Sequence, residues 1–160
     1  MSYEEESRRK LKCGLLIDVE VEDEETMVQE QTENFCSPPQ FILQQKNWVV
    51  VGSHGKNPVA FRLTEKLAKG KKMVFRVNPS ASQENLSSSY PSIREIRQNI
   101  DVVLLVVSPN KGIEVVHDMG VLGVKYLWIQ PGASSSQIVE AAAKYGILVH
   151  EGCVMIEARW

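Results

Sequence analysis

The sequence predicts a doubly wound, Rossmann-like α/β domain, with a mainly parallel five-stranded sheet and helices on both of its faces. Two observations predict it: five short apolar runs follow residue 47, and four segments with helical spacing separate them. A strand–helix–strand unit crosses over right-handed to a parallel neighbour, so repeated alternation of this kind builds three layers around a parallel sheet.

The first predicted unit is a strand followed by a helix. Residues 48–51 are apolar and rich in β-branched side chains up to Gly52, which is typical of a strand buried on both faces of a parallel sheet. Residues 58–69 are predicted as a helix, with Pro58 in its first turn and Gly70 as its stop. The apolar positions near helical spacing in it are Phe61, Leu63, Leu67 and Ala68.

The middle of the chain carries the second and third predicted strands. Residues 73–77 form the second strand, which ends at Asn78-Pro79, and the polar, serine-rich residues 80–89 form a loop. A short helix is predicted at 92–98, before a third strand at 102–107 that is apolar throughout.

Two further helices and two strands complete the predicted domain. A helix opens at residues 108–110 and runs to about Leu122, a strand occupies 125–129, a helix 134–145 and the fifth strand 146–149. The positions that recur at helical spacing are Ile113, Val116, His117 and 120–122 in the first helix, and Ile138, Ala141, Ala142 and Tyr145 in the second.

The charge is divided unevenly along the 160 residues. The net charge of −2 combines −7 over residues 1–40 with +5 over residues 41–160. Residues 15–17 are apolar and run into an acidic stretch at 18–25, which is compatible with a short exposed strand but is more typical of a solvated arm. Ser37-Pro38-Pro39 is predicted as a linker. We therefore expect a flexible acidic N-terminal extension at 1–40 and one domain at 41–160.

The three cysteines and the N-terminus indicate the compartment. Cys13, Cys36 and Cys153 form no CxxC motif and no zinc-ligand spacing, which argues against a disulfide framework or a metal site. The N-terminus lacks the features of a signal peptide, and no apolar run reaches the roughly 18 residues of a membrane span. We expect a cytoplasmic protein. DNA binding is disfavoured because residues 1–40 are acidic and too short for a winged helix.

The loops after the strands are where such a fold binds ligands. A glycine turn at 52–58 lies between a strand and a helix, where backbone N–H groups and the helix dipole favour a phosphate, although a simple chain reversal also uses glycine there. A dinucleotide fingerprint would need glycines where His54 and Asn57 stand, and the second strand is not followed by the acid that holds a ribose. The Walker pattern is absent as well.

Basic residues are expected around the first unit, and small polar loops follow the third and fourth strands at 108–109 and 130–132. The basic residues are Lys56, Arg62, Lys71, Lys72 and Arg76. Together these groups suit a phosphate-rich ligand with an uncharged tail that crosses three loops.

Several motifs in one order resemble a known family. They are 49–58, Arg76-Val77-Asn78-Pro79, Tyr90-Pro91-Ser92-Ile93, Asp101-Val102-Val103, 127–132 and 152–157. Over residues 47–157 the chain resembles the small stand-alone CoA-binding proteins of the succinyl-CoA synthetase alpha-subunit type. The resemblance implies a Rossmann-like fold and coenzyme A as the ligand.

The resemblance also implies a role for each loop. The pyrophosphate side of CoA would be held by Gly52, Ser53, His54, Gly55, Asn57 and Pro58. The adenosine would be flanked by Val77, Asn78 and Pro79, Ser108 with Pro109 would contact the adenine or the linker, and Gln130, Pro131 and Gly132 would face the pantetheine arm. The family's arginines after the third strand are missing, and Arg76 or Lys56 is expected to replace one phosphate contact.

No catalytic set is predicted. His117 is expected to be a packing or surface residue, His150 is expected to face away from the ligand, and Cys153 is expected to pack. The first hypothesis is therefore a non-catalytic module that binds CoA or an acyl-CoA. The alternatives are the CoA-binding subunit of an acyl-CoA ligase or transferase acting with a separate ATP-grasp chain, and an NAD(P)-binding protein. A homodimer is compatible with the exposed edge strands of such a sheet.

Overall fold

The computed structural model describes residues 10–12, 15–17, 38–52, 58–80 and 89–160. The chain divides into two compact units, Met1–Phe41 and Ile42–Trp160. In the first unit, strands β1 (Lys10–Lys12) and β2 (Leu15–Ile17) pair antiparallel. Of the two alternatives for residues 15–17, the structure therefore has the strand. The acidic stretch at 18–25 lies outside the described residues, and the flexibility of the extension stays a prediction.

The predicted linker at Pro38-Pro39 is wrong, because these residues begin helix α1 (Pro38–Gln44). Proline is compatible with the first turn of a helix, since the N–H that it lacks has no partner within the helix there. Ile42 of this helix is fully buried in the core of the second unit.

The second unit is built on five parallel strands, which confirms the predicted fold class. The strands are β3 (Asn47–Val51), β4 (Met73–Val77), β5 (Val102–Leu105), β6 (Tyr126–Ile129) and β7 (Leu148–Glu151). Their order in the sheet is β4-β3-β5-β6-β7, and every neighbouring pair is parallel. In this register Val51 lies beside both Val77 and Leu105, so the carboxyl ends of the strands meet at one edge of the sheet.

Helices cover both faces of the sheet. They are α2 (Pro58–Lys69), α3 (Pro109–Leu122), α4 (Ser136–Lys144) and α5 (Val154–Glu157), with one 3-10 turn at Ile93–Glu95. Successive strand residues point to opposite faces, so two cores form. One core contains Trp48 and Val50 with side chains of α1, α2 and α5, and the other contains Val49 and Val51 with side chains of α3 and α4.

Several predicted boundaries differ from the structure, three of them in an informative way. The third strand ends at Leu105 rather than at residue 107. The helix predicted at 92–98 is a single 3-10 turn, whose cap is Ser92. The fifth strand begins at Leu148 because the N–H of Ile147 still donates to the carbonyl of Ala142, 2.9 Å away, and so belongs to the end of α4.

The buried face of α2 also differs from the predicted one. Leu63 and Leu67 are buried as expected, but Phe61 and Ala68 are exposed, and Ala60 is buried in their place. A buried stripe on a helix follows spacings of three and four residues. The spacing from 60 to 63 and 67 satisfies this rule, whereas positions 61 and 68 lie one step around the helix.

Candidate functional site

The start of α2 and the loops after β5 and β6 surround a pocket at the carboxyl edge of the sheet. Strand β3 is followed by a connection to β4 on one side, while β5 lies on its other side, so the strand order reverses here. A doubly wound sheet opens its ligand-binding crevice at such a switch point. The pocket has a volume of about 250 Å³ and is lined by Val59, Val106, Val107, Ser108, Gln130, Pro131, Gly132 and Ala133.

The structure brings two of the predicted loops into this pocket. Ser108 lines it at the start of α3, and residues 130–132 line it after β6. Pro58 begins α2 next to the lining residue Val59. The other members of the predicted phosphate turn, residues 53–57, lie outside the described residues, so the expectations for Ser53, His54, Gly55, Lys56 and Asn57 stay predictions.

Gly52 directly follows β3 at the carboxyl edge of the sheet, next to the ends of β4 and β5. Its N–H donates to the carbonyl of Val77 at 2.9 Å, and the N–H of Val106 donates to the carbonyl of Val51 at 2.9 Å. A Cβ atom on Gly52 would lie 3.1 Å from the Cβ of Ala60 in α2. The absence of a side chain at Gly52 therefore allows the start of α2 to approach the end of β3.

The loop after β6 is a tight turn. The N–H of Ala133 donates to the carbonyl of Gln130 at 3.0 Å, and Gly132 has a φ of +88°. Proline followed by glycine at positive φ is characteristic of the central positions of a type II turn. The four residues of this turn, 130–133, form one wall of the pocket.

The side chain of Gln130 connects this wall to the C-terminal helix. It is only 4% exposed, and its Oε1 accepts a hydrogen bond from the N–H of Val154 at 2.9 Å. Its Nε2 lies 3.6 Å from the Sγ of Cys153, which is a half-buried free thiol. The amide of Gln130 thus holds the start of α5 as well as lining the pocket.

The four predicted basic residues that the structure describes do not form one cluster. The guanidinium of Arg76 lies 5.8 Å from the ring centre of Phe61 on the α2 side of the sheet, and Arg62 is exposed on α2. Lys71 and Lys72 precede β4 and so lie at the amino edge of the sheet, opposite the pocket. The ammonium of Lys72 lies 4.9 Å from the ring centre of Trp160, and burial there lowers its pKa.

The predicted adenosine loop, Val77-Asn78-Pro79, is held beside the sheet. The backbone N–H of Asn78 donates to the carbonyl of Tyr90 at 2.9 Å. The side-chain Oδ1 of Asn78 accepts a hydrogen bond from the N–H of Ser80 at 3.1 Å. The hydroxyl of Ser80 accepts a hydrogen bond from the ammonium of Lys111 in α3.

Lys111 was missed by reasoning from the sequence, although a signal was present. It occupies the first turn of α3, where the positive end of the helix dipole disfavours a cation. The first turns of α2, α3 and α4 contain no acidic residue. Because each of these helices begins after a strand, their positive ends lie at the carboxyl edge, which makes this edge of the described structure favourable for an anion.

The two described histidines bond to protein partners. The Nδ1 of His117 lies 2.9 Å from the hydroxyl of Tyr145 on the surface. The Nε2 of His150 lies 2.8 Å from the Oε1 of Glu157, and its ring packs edge-on against Trp128 with ring centres 4.4 Å apart. Within the described ranges, no group of three or more histidine, cysteine or acidic side chains is arranged to hold a metal ion.

Comparison with known proteins identifies relatives of the second unit. A family model described as "CoA binding domain" matches residues 46–159. A conserved hypothetical protein from Pyrococcus furiosus is 29% identical, with a TM-score of 0.62; the match covers 71% of this chain and 100% of that one. A hypothetical protein from Pyrococcus horikoshii OT3 is 25% identical, with a TM-score of 0.66 and coverage of 75% and 86%. No curated protein matches the sequence.

A larger enzyme shares the fold. The dinucleotide-forming acetyl-coenzyme A synthetase 1 of Ca. Korarchaeum cryptofilum is 24% identical, with a TM-score of 0.54, over 68% of this chain and 26% of its own.

In the part of the chain that the structure describes, none of the helices is long and apolar enough to cross a membrane.

Proposed function

The chain belongs to the CoA-binding domain family, and from this premise we propose that it binds coenzyme A or an acyl-CoA as a stand-alone module without chemistry of its own. The observation that carries the proposal is the pocket at the switch point, bounded by Ser108 and the turn at 130–132. These are loops for which the family resemblance implies contacts with the ligand.

The shape of the pocket supports a ligand that extends beyond it. Its volume of about 250 Å³ is below the roughly 300 to 1,000 Å³ of pockets that enclose a whole drug-sized ligand. Val59, Val106 and Val107 give it apolar walls, which suit the pantetheine arm. The pyrophosphate would then lie over Gly52 and the start of α2, and the adenosine would reach the loop at 77–79.

Titration of the purified chain tests the ligand. We expect heat of binding with CoA and acetyl-CoA, and weaker or no binding with NAD and NADPH. No response to any CoA species at about 1 mM would refute the proposal, since that limit corresponds to roughly −4 kcal/mol of binding free energy. Tighter binding of NADPH than of CoA would favour the NAD(P)-binding alternative.

A pocket-filling substitution tests the place of binding. Val59 is 44% exposed at the pocket, whereas Val121 is 67% exposed at the far end of α3, where it does not line the pocket. We expect Val59→Phe to weaken CoA binding at least about tenfold, which is roughly 1.4 kcal/mol, because the larger ring occupies the space of the pantetheine arm. Val121→Phe serves as the control and should bind like the unmodified chain. Equal affinities for the two variants would contradict the assigned pocket.

A second candidate is the CoA-binding subunit of an acyl-CoA ligase that acts with a separate ATP-grasp chain. The fold shared with about a quarter of an acetyl-coenzyme A synthetase favours it. Affinity purification from the native host, with and without CoA, distinguishes the two candidates. Recovery of an ATP-grasp protein, together with ligase activity of the mixture but not of either chain alone, would favour the ligase subunit over the stand-alone binding module.

A further inference from the structure

Lys111 is a cation in an electrostatically unfavourable position. It lies in the first turn of α3, where the helix dipole is positive, and that turn contains no acidic residue. Its ammonium donates to the hydroxyl of Ser80, a neutral group. Among the described residues no carboxylate forms an ion pair with it. Within the described ranges, an anion at this point would therefore meet a charge that no carboxylate neutralises.

The Lys111–Ser80 contact crosses the end of β3. Ser80 follows β4, Lys111 follows β5, and β3 lies between these two strands. The pocket lies at the neighbouring strand ends, where the loops after β5 and β6 meet the start of α2. A ligand that has one end in the pocket and passes over Gly52 would thus bring its other end to Lys111.

Arg76 and Lys111 lie on different sides of the sheet. The guanidinium of Arg76 is directed over Phe61 in α2. Lys111 belongs to α3, whose buried residues pack in the core of the opposite face. Lys111 is therefore a further basic residue that can replace the missing family arginine, and the expectation for Arg76 or Lys56 stays a prediction.

We infer that Lys111 determines the preference of this site for a 3'-phosphorylated adenosine, exchanging its bond to Ser80 for one to the phosphate. The inference rests on the proposed binding of CoA. A phosphate monoester carries about −1.5 to −2 charges near neutral pH, so it competes well with a neutral hydroxyl for an ammonium. Lys111 is a specificity-determining residue in this account and takes no part in chemistry.

The experiment compares CoA with dephospho-CoA, which lacks only the 3'-phosphate. Affinities are measured by calorimetry for the unmodified chain and for three variants. Lys111→Met removes the charge and keeps most of the length of the side chain. Ser80→Ala removes the partner and keeps the charge, and Lys144→Met removes a different exposed helix lysine.

We expect the unmodified chain to bind CoA roughly ten- to a hundredfold more tightly than dephospho-CoA, as one charge-assisted hydrogen bond provides. Lys111→Met should lose this ratio while keeping its affinity for dephospho-CoA. Lys144→Met should keep the ratio, and Ser80→Ala should keep or raise it, because Lys111 then gives up no bond to Ser80 when it binds the phosphate.

Three results would overturn the inference. One is a ratio near one in the unmodified chain, and another is an unchanged ratio in Lys111→Met. The third is an equal loss of affinity for CoA and for dephospho-CoA in both Lys111→Met and Ser80→Ala, which would mean that the Lys111–Ser80 contact only stabilises the structure. Failure of the proposed function itself looks different, because the unmodified chain would then bind neither ligand.

Discussion

The substitution Gly52→Ala tests the close approach of α2 to the sheet. The added Cβ would lie 3.1 Å from the Cβ of Ala60 and 3.4 Å from that of Val106. Ordinary van der Waals contact between carbons begins at about 3.5 Å. The start of α2 must therefore move by a few tenths of an ångström, at the very point where the pocket opens.

The expected loss of stability follows from two opposing effects. Overpacking of a filled core typically costs about 1 to 3 kcal/mol. Replacing glycine by alanine restricts the unfolded chain and returns about 0.4 to 1 kcal/mol. We expect Gly52→Ala to lower the free energy of unfolding by about 1 to 2 kcal/mol. Urea denaturation followed by tryptophan fluorescence measures it, since Trp48 and Trp128 are both fully buried.

Ala60, whose Cβ the added methyl group would contact, provides the decisive control. Ala60→Gly alone should destabilise α2, by about 1 kcal/mol for its helix propensity. In the double variant the steric contact is gone, so its destabilisation should be less than the sum of the two single effects by about 1 kcal/mol. Additivity of the single effects within about 0.3 kcal/mol, or a stabilised Gly52→Ala variant, would refute the reasoning.

Two other predictions concern Gln130 and Tyr126. Gln130→Met leaves the N–H of Val154 without its acceptor, so we expect a loss of about 1 to 3 kcal/mol of unfolding free energy. The exposed Gln137→Met is the control, and equal effects of the two substitutions would contradict the role of Gln130 in holding the start of α5. Burial and, second, the charge of Asp101 raise the pKa of Tyr126 above 10.0. The folded chain then holds this proton more tightly than the unfolded chain, so Tyr126 favours folding below pH 10 and this contribution is lost as the pH rises through the raised pKa. The denaturation midpoint should fall less steeply with pH above pH 10 in Tyr126→Phe than in Tyr145→Phe. Identical slopes in the two variants would argue against a raised pKa of Tyr126.

The strands could be predicted because they are buried on both faces. Residues 48–51 and 73–77 read as continuous apolar runs with clear stops, and the structure has strands there. The same signal failed at Val106 and Val107, which were predicted to extend the third strand. They pack against the two cores and line the pocket instead. An apolar run alone does not distinguish the end of a buried strand from the wall of a site.

The charged part of the site was less predictable, because distance along the chain does not fix the edge of the sheet. Lys72 is close in sequence to Arg76, but one β-strand separates the two edges, so Lys72 packs on Trp160 instead. Lys111 is 31 residues from Ser80, and only the strand order brings them together. Its unfavourable place at a helix start was the one local signal.

The hydrogen bond between Gln130 and Val154 couples events that are distant in the sequence. Movement of the Gln130 side chain to admit a ligand would release the Val154 N–H to solvent. Amide hydrogen exchange at Val154 therefore measures how often that wall of the pocket opens, in the absence of any ligand. A bound ligand that holds the wall closed would slow this exchange, and one amide in the C-terminal helix would report occupancy of a site that it does not touch.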